Sequence, residues 1–147
     1  MPGFLLPTWA RQAEQHDFST LATIDRVAFG SHDSLIALAA AAAVTERIEL
    51  LTNILLLPTR QPVLLAKEAA TISSISDGRF TLGVGVGGRE DDFVSTETSF
   101  AGRGKRMDEM AGADDHRLAR GAGRRQPRAR RAGTAVRNGA VADRWYR

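Results

Sequence analysis

Between Ile48 and Gly88 the chain reads IELLTNILLLPTRQPVLLAKEAATISSISDGRFTLGVGVGG, two apolar runs separated by one stretch of helical periodicity. A strand buried on both faces appears as a near-continuous apolar run, so this order specifies a strand, a crossover helix and a second, parallel strand. The second run ends in Gly83-Val84-Gly85-Val86-Gly87-Gly88. Bare backbone amides then lie at the carboxyl end of a strand, the usual ligand edge of a parallel sheet.

The flanking sequence extends the alternation. Leu5, Leu6, Trp9, Ala10 and Ala13 fall at helical spacing behind a Pro-Gly turn, with Gly3 to Leu6 as a frayed strand in the alternative reading. Phe18 to Ile24 suits a strand ending at Asp25. Asp33 or Ser34 can cap a helix whose body, LIALAAAAAVTERI, is rich in alanine. A strand over Ile48 to Leu57 stops at Pro58, and Gln61-Pro62 opens a helix with proline where its missing N–H is harmless. Val63, Leu64, Ala66, Ala70, Ile72 and Ile75 are expected to form its buried face, with Asp77-Gly78 as terminator. Arg79 to Val86 is the third strand. From Glu90 a polar, exposed excursion should lead to a helix near Arg103 to Met110. Three strands alternating with helices imply a parallel α/β sheet, doubly wound or closed as a barrel.

Charge divides the chain. Residues 1 to 110 hold 10 Lys/Arg against 14 Asp/Glu, a net −4, whereas residues 111 to 147 hold 10 Arg against 3 Asp, a net +7. The first segment has the apolar content to bury a core. The second is an Arg/Ala/Gly-rich tail expected to be disordered. Its arginines lack the interleaved aromatics of a nucleic-acid platform, so nucleic-acid binding is the weaker reading beside a solvated tail. Cysteine is absent and the 3 histidines are scattered, which leaves no expected disulfide, thiolate or dedicated metal site. No apolar run approaches the ~20 residues of a membrane span, and no secretory signal opens the chain. A soluble cytoplasmic protein is expected.

Several residues could carry chemistry. Gly83, Gly85 and Gly88 fit G-x-G-x-x-G, but Arg89-Glu90-Asp91-Asp92 follows, and three acids would repel a pyrophosphate. Three readings stay open: a dinucleotide site, a plain turn, and a turn admitting a phosphate or flavin-type ring with Arg89 as counter-charge. Asp25-Arg26 lies where a strand meets its loop, as an active-site pair, a structural ion pair or a cap. His32 in the same loop reads as a solvent-exposed histidine rather than an acid or base. Thr52 and Asn53 interrupt an apolar strand, and burying either without a partner would cost about 1–3 kcal/mol. Each therefore calls for a hydrogen bond to backbone or ligand.

The run from the alanine-rich helix through Thr-Glu-Arg-Ile, the strand ending Leu-Pro, Pro-Val-Leu-Leu-Ala-Lys, Gly-Arg-Phe-Thr-Leu-Gly-Val-Gly and the charged loop to Asp92-Phe93 resembles the amino-terminal half of the luciferase-like monooxygenase family. The resemblance covers residues 4 to 110 and implies flavin- or deazaflavin-dependent oxidoreductases on a (β/α)₈ TIM barrel. It implies that FMN or coenzyme F420 lies against the strand of Thr52, Asn53 and Ile54, where a non-prolyl cis peptide is often held, with Gly85, Val86, Gly87 and Arg89 near the cofactor and Asp25 at the same edge. A small-molecule substrate is implied as well. The acid–base histidine of many relatives has no counterpart, since Arg26 follows Asp25, and no catalytic residue is assigned.

A (β/α)₈ barrel needs about 250 residues and eight strands, against three here. A partial barrel is therefore expected, with open sheet edges that favour pairing with other chains, including copies of this one. The tail has the composition of GC-rich DNA read in a shifted frame. Codons chosen for Gly112 to Ala119 and shifted by one base give Ala-Leu-Met-Ile-Thr-Ala-Trp, an amphipathic continuation of the preceding helix. A frameshifted or truncated product of doubtful activity is the expectation.

Overall fold

The computed structural model describes residues 3–117. Its sheet is built from three parallel staves. β1 (Thr20–Thr23) pairs with β2 (Glu49–Thr52) from Thr20↔Glu49 to Thr23↔Thr52, and β2 pairs with β4 (Phe80–Thr81) at Leu50↔Phe80 and Leu51↔Thr81. Toward the carboxyl edge, β3 (Leu55–Leu56) pairs with β5 (Val84–Gly85). The strands expected over Ile48–Leu57 and Arg79–Val86 are thus each present in two pieces. One is interrupted at Asn53-Ile54, whose peptide bond is cis, and the other at Leu82-Gly83.

Helices cover one face of the sheet. A 3₁₀ turn at Gly3–Leu5, where a frayed strand was the alternative, leads into α1 (Leu6–Gln15). α2 (Ser34–Ala42) begins under Asp33, whose carboxylate accepts from the Leu35 and Ile36 amides. α3 (Pro62–Ile75) has Gln61 as its cap and ends through Ser76 into Asp77 and Gly78, both in the left-handed region. Leu35, Leu38, Ala41 and Ala42 of α2 and Leu65 and Ile72 of α3 close over Leu50, Leu55, Phe80 and Leu82. Each such leucine, fully buried, contributes about 1.5–3 kcal/mol.

Two helical expectations are corrected. The face of α3 that packs is Leu65, Ala66 and Ile72, whereas Val63, Leu64, Ala70 and Ile75 are exposed. With apolar residues on every side of α3, its rotation is set by α2 and the sheet, not by its own pattern. α2 stops at Ala42 instead of continuing to Ile48, because its last carbonyls and the next amides are taken by other elements. Arg79 donates to the carbonyls of Ala42, Thr45, Ile48 and Ser76 and to Thr45 Oγ1. From α1, Glu14 accepts the amides of Glu46, Arg47 and Ile48, and these bonds outweigh its desolvation and hold its carboxyl below the ordinary value. Both lie at the amino-terminal edge of the sheet, where side chains serve stability in parallel barrels.

The segment after Gly88 is also corrected. It is a helix, α4 (Glu90–Ser95), and although Glu90 and Asp91 are exposed, Asp92 and Phe93 are among the most deeply buried side chains. Phe93 seats edge-on against Phe100 with ring centres 5.2 Å apart. α5 (Arg103–Arg117) runs through residue 110. The tail expected to be disordered lies, from residue 118, outside the described residues.

Candidate cofactor-binding edge

All three staves change at one level, and there side chains replace missing backbone partners. The Asn53 amide still donates to Thr23 O (2.7 Å), and the Asp25 amide donates to Ile54 O (3.3 Å). The next donor along, Leu56 N–H, meets no strand carbonyl on that side and is accepted by Asp25 Oδ2 (2.9 Å). On the other side Thr52 Oγ1 donates to Gly83 O (2.7 Å) and accepts from Gly83 N–H (2.8 Å). The staves approach so closely that a Cβ at Gly83 would overlap Thr52 O. Glycine is required there by contact.

The buried Asp25 carboxylate is neutralised by Arg60, whose Nη2 lies 2.8 Å from Asp25 Oδ1 and whose Nη1 lies 3.0 Å from Asp33. Burial lowers the Arg60 pKa and the two carboxylates raise it, with a net upward shift. For Asp33, burial raises the pKa, but the Ile36 amide, Arg60 and the Leu35 amide together outweigh it and leave it below the ordinary carboxyl value. Arg60 Nε and Thr23 Oγ1 are buried without a partner among the described residues.

Arg26, next along the chain, turns the opposite way, to α4. Its Nε donates to Asp92 and its Nη2 to Asp91, both at 2.8 Å. Asp92 Oδ1 also accepts the amides of Val27 and Ala28 at 2.8 Å. Desolvation opposes ionisation of Asp92, but these amides and Arg26 more than offset it and depress its pKa. The β1–α2 loop is therefore clamped from both sides, and together with Thr59, Arg60 and Thr96 it borders a cavity of about 300 Å³.

The residues singled out from the sequence gather at this edge with different accessibility. Asp25 and Thr52 are buried, with their polar atoms committed as described. Thr52 satisfies its hydroxyl with backbone. Asn53 is exposed, its carboxamide unpaired among the described residues, beside the partly exposed apolar surface of Ile54. Gly85, where a Cβ would overlap the Ile54 side chain, Val86 and Gly87 are half-buried. Arg89 is exposed at the start of α4 with no side-chain partner among the described residues, and His32 is exposed. Sequence reasoning overlooked Arg60, Asp92 and Arg103, which holds the glycine turn through Gly87 O and stacks on Phe100. An arginine between Pro58 and Pro62 and a phenylalanine among acids were the available signals.

Parallel staves with outer helices and polar groups gathered at their carboxyl ends define part of a (β/α) barrel with its working edge at the strand ends. The sequence matches the luciferase-like monooxygenase family over residues 6–130, and the chain belongs to that family. Among curated relatives, the uncharacterized protein Rv0940c of Mycobacterium tuberculosis is 38% identical over 77 residues, which cover 52% of this chain and 27% of that protein. The uncharacterized protein Rv0953c of the same organism is 44% identical over 62 residues, 42% of this chain and 22% of that protein. Among solved structures, monooxygenase RslO1 from Streptomyces bottropensis is similar with TM-score 0.66 and 29% identity, over 76% of this chain and 35% of its own. The oxygenating constituent of 3,6-diketocamphane monooxygenase from Pseudomonas putida, a type II Baeyer-Villiger enzyme in complex with FMN, gives TM-score 0.68 at 22% identity, over 74% and 32%. The chain spans about a quarter of the length of these curated relatives and about a third of these structures.

Proposed function

We propose that this chain carries part of the cofactor bed of a flavin-dependent monooxygenase, with FMN as the cofactor. The observation that carries the reading is Asn53-Ile54, an exposed carboxamide unpaired among the described residues and beside the apolar surface of Ile54, at the carboxyl edge of the staves. That pairing suits a flat ring with an apolar face and a hydrogen-bonding rim, and the residues present fit such a group. When bound, reduced flavin supplies the electrons for oxygen chemistry. Asn53 would orient the rim, Ile54 would support the face, and Arg89 beside Gly87-Gly88 would attract the phosphate-bearing end. FMN is preferred over coenzyme F420 because a structural neighbour is in complex with FMN. The substrate is a small molecule meeting the ring at the same edge.

With three staves among the described residues to form the bed, binding should be weak, a Kd no tighter than about 10 μM, or about −7 kcal/mol. Titration of the purified chain with FMN and, separately, coenzyme F420, followed by cofactor absorbance and fluorescence, tests this. FMN binding that weakens about tenfold, or 1.4 kcal/mol, in Asn53→Ala supports the reading. Absence of any spectral change with either cofactor at millimolar concentration rejects it, and preference for coenzyme F420 replaces the cofactor.

A further inference from the structure

We propose that Arg60 is a positioning residue for the Asn53-Ile54 segment, acting through Asp25. This rests on the reading of that segment as the ring's bed only for its functional consequence.

Asp25 grips the chain just beyond the strand break at two points, its amide on Ile54 O and its carboxylate on Leu56 N–H. Backbone between two fixed points has few conformations left, so Ile54 is held against Gly85, and Asn53 is fixed from the other side through Thr23 O. This grip places the Asp25 carboxylate in a buried site, 4% exposed, against the Arg60 guanidinium. A buried charge is tolerated only when paired and hydrogen-bonded. Arg60 supplies the pair and, by also holding Asp33 at the start of α2, fixes where the carboxylate sits. The guanidinium fork spans two carboxylates with separate nitrogens; the point charge of a lysine cannot reproduce that geometry. Thr59, next in sequence, bonds back to Leu56 O, so the backbone that carries Arg60 is tied to the segment it positions.

The test is amide hydrogen exchange on the full chain for wild type, Arg60→Met and Arg60→Lys, alongside FMN titration. In Arg60→Met, exchange at the Leu56 and Asp25 amides should quicken about tenfold or more, while Leu50, bonded to Arg79 O at the opposite end of the sheet, changes less than about twofold. Arg60→Lys should fall between, and it carries the comparison if Arg60→Met does not fold. Unchanged exchange at Leu56 and Asp25 overturns the proposal. Equal acceleration at all three amides overturns it too, because Arg60 would then be a general stabiliser. Selective acceleration with weakened FMN binding supports the full proposal, whereas selective acceleration with undiminished FMN binding overturns its bearing on the cofactor. Selective acceleration in a chain whose wild type binds no FMN upholds the positioning role and rejects the cofactor reading instead.

Discussion

Replacing Asp92 with alanine should be among the most damaging single changes at the carboxyl edge. The residue is 1% exposed, and its carboxylate accepts three hydrogen bonds, from Arg26 Nε and the Val27 and Ala28 amides, each at 2.8 Å. Hydrogen bonds to a charged group are worth about 1.5–3 kcal/mol each, but they are not additive, and Arg26 keeps Asp91 and some solvent. The expected loss for Asp92→Ala is therefore about 3–4 kcal/mol, a large part of the roughly 5–15 kcal/mol of an ordinary domain. Asp92→Asn retains one carbonyl acceptor for the amides but loses the charge, and should cost about 1–2 kcal/mol. Urea unfolding of the full chain at pH 7, read from the midpoint with m unchanged, measures both. The pH dependence identifies the cause. Because the folded pKa of Asp92 is depressed, its contribution is complete above the unfolded carboxyl value of about 4 and is lost as pH falls through the lower folded value. Wild type and Asp92→Asn should thus converge in stability below about pH 4. A loss under about 0.5 kcal/mol for Asp92→Ala, or a wild-type advantage over Asp92→Asn that persists unchanged at pH 3, would refute the reasoning.

Gly83→Ala should force the central staves apart at Thr52 O and cost about 1–3 kcal/mol or more in thermal unfolding, with exchange quickened at the Leu55 amide that bonds to Gly83 O. Phe93→Ala should lose about 3–5 kcal/mol by urea unfolding, because the ring is fully buried beneath the glycine turn and against Phe100. Arg79→Met should lower stability by about 2–4 kcal/mol, since four backbone carbonyls lose a charged donor. It should leave FMN affinity, relative to the folded fraction, unchanged because Arg79 lies at the opposite edge of the sheet.

The local signals in the sequence were sufficient where one segment could satisfy itself. Pro62 and Gln61 open α3, Asp77-Gly78 close it and Asp33 caps α2, because caps and turns depend on residues a few positions away. The apolar runs likewise established parallel staves, and the resemblance they carry leads to the right family. Those signals failed where a distant partner decided the outcome. α2 is alanine-rich to Ala43, yet Arg79 and Glu14 end it; α3 is apolar on every side, so packing chose Leu65 over Leu64. The acids after Arg89 looked like solvated charge because nothing nearby explains why one of them should be inside.

What the sequence determined by itself was the alternation of strands and helices, their approximate limits and the edge at which polar groups collect, all consequences of periodicity and short-range sterics. The tertiary structure alone decided which of those groups remain available. Asp25 meets Arg60 35 positions away, Arg26 meets Asp92 66 away and Thr52 meets Gly83 31 away, and each pairing removes a polar side chain from solvent. Spacing along the chain does not encode such partners; three staves brought within hydrogen-bonding distance do. Asn53 and Arg89 are left exposed and unpaired among the described residues, and under the proposed function they are the groups that would meet the cofactor.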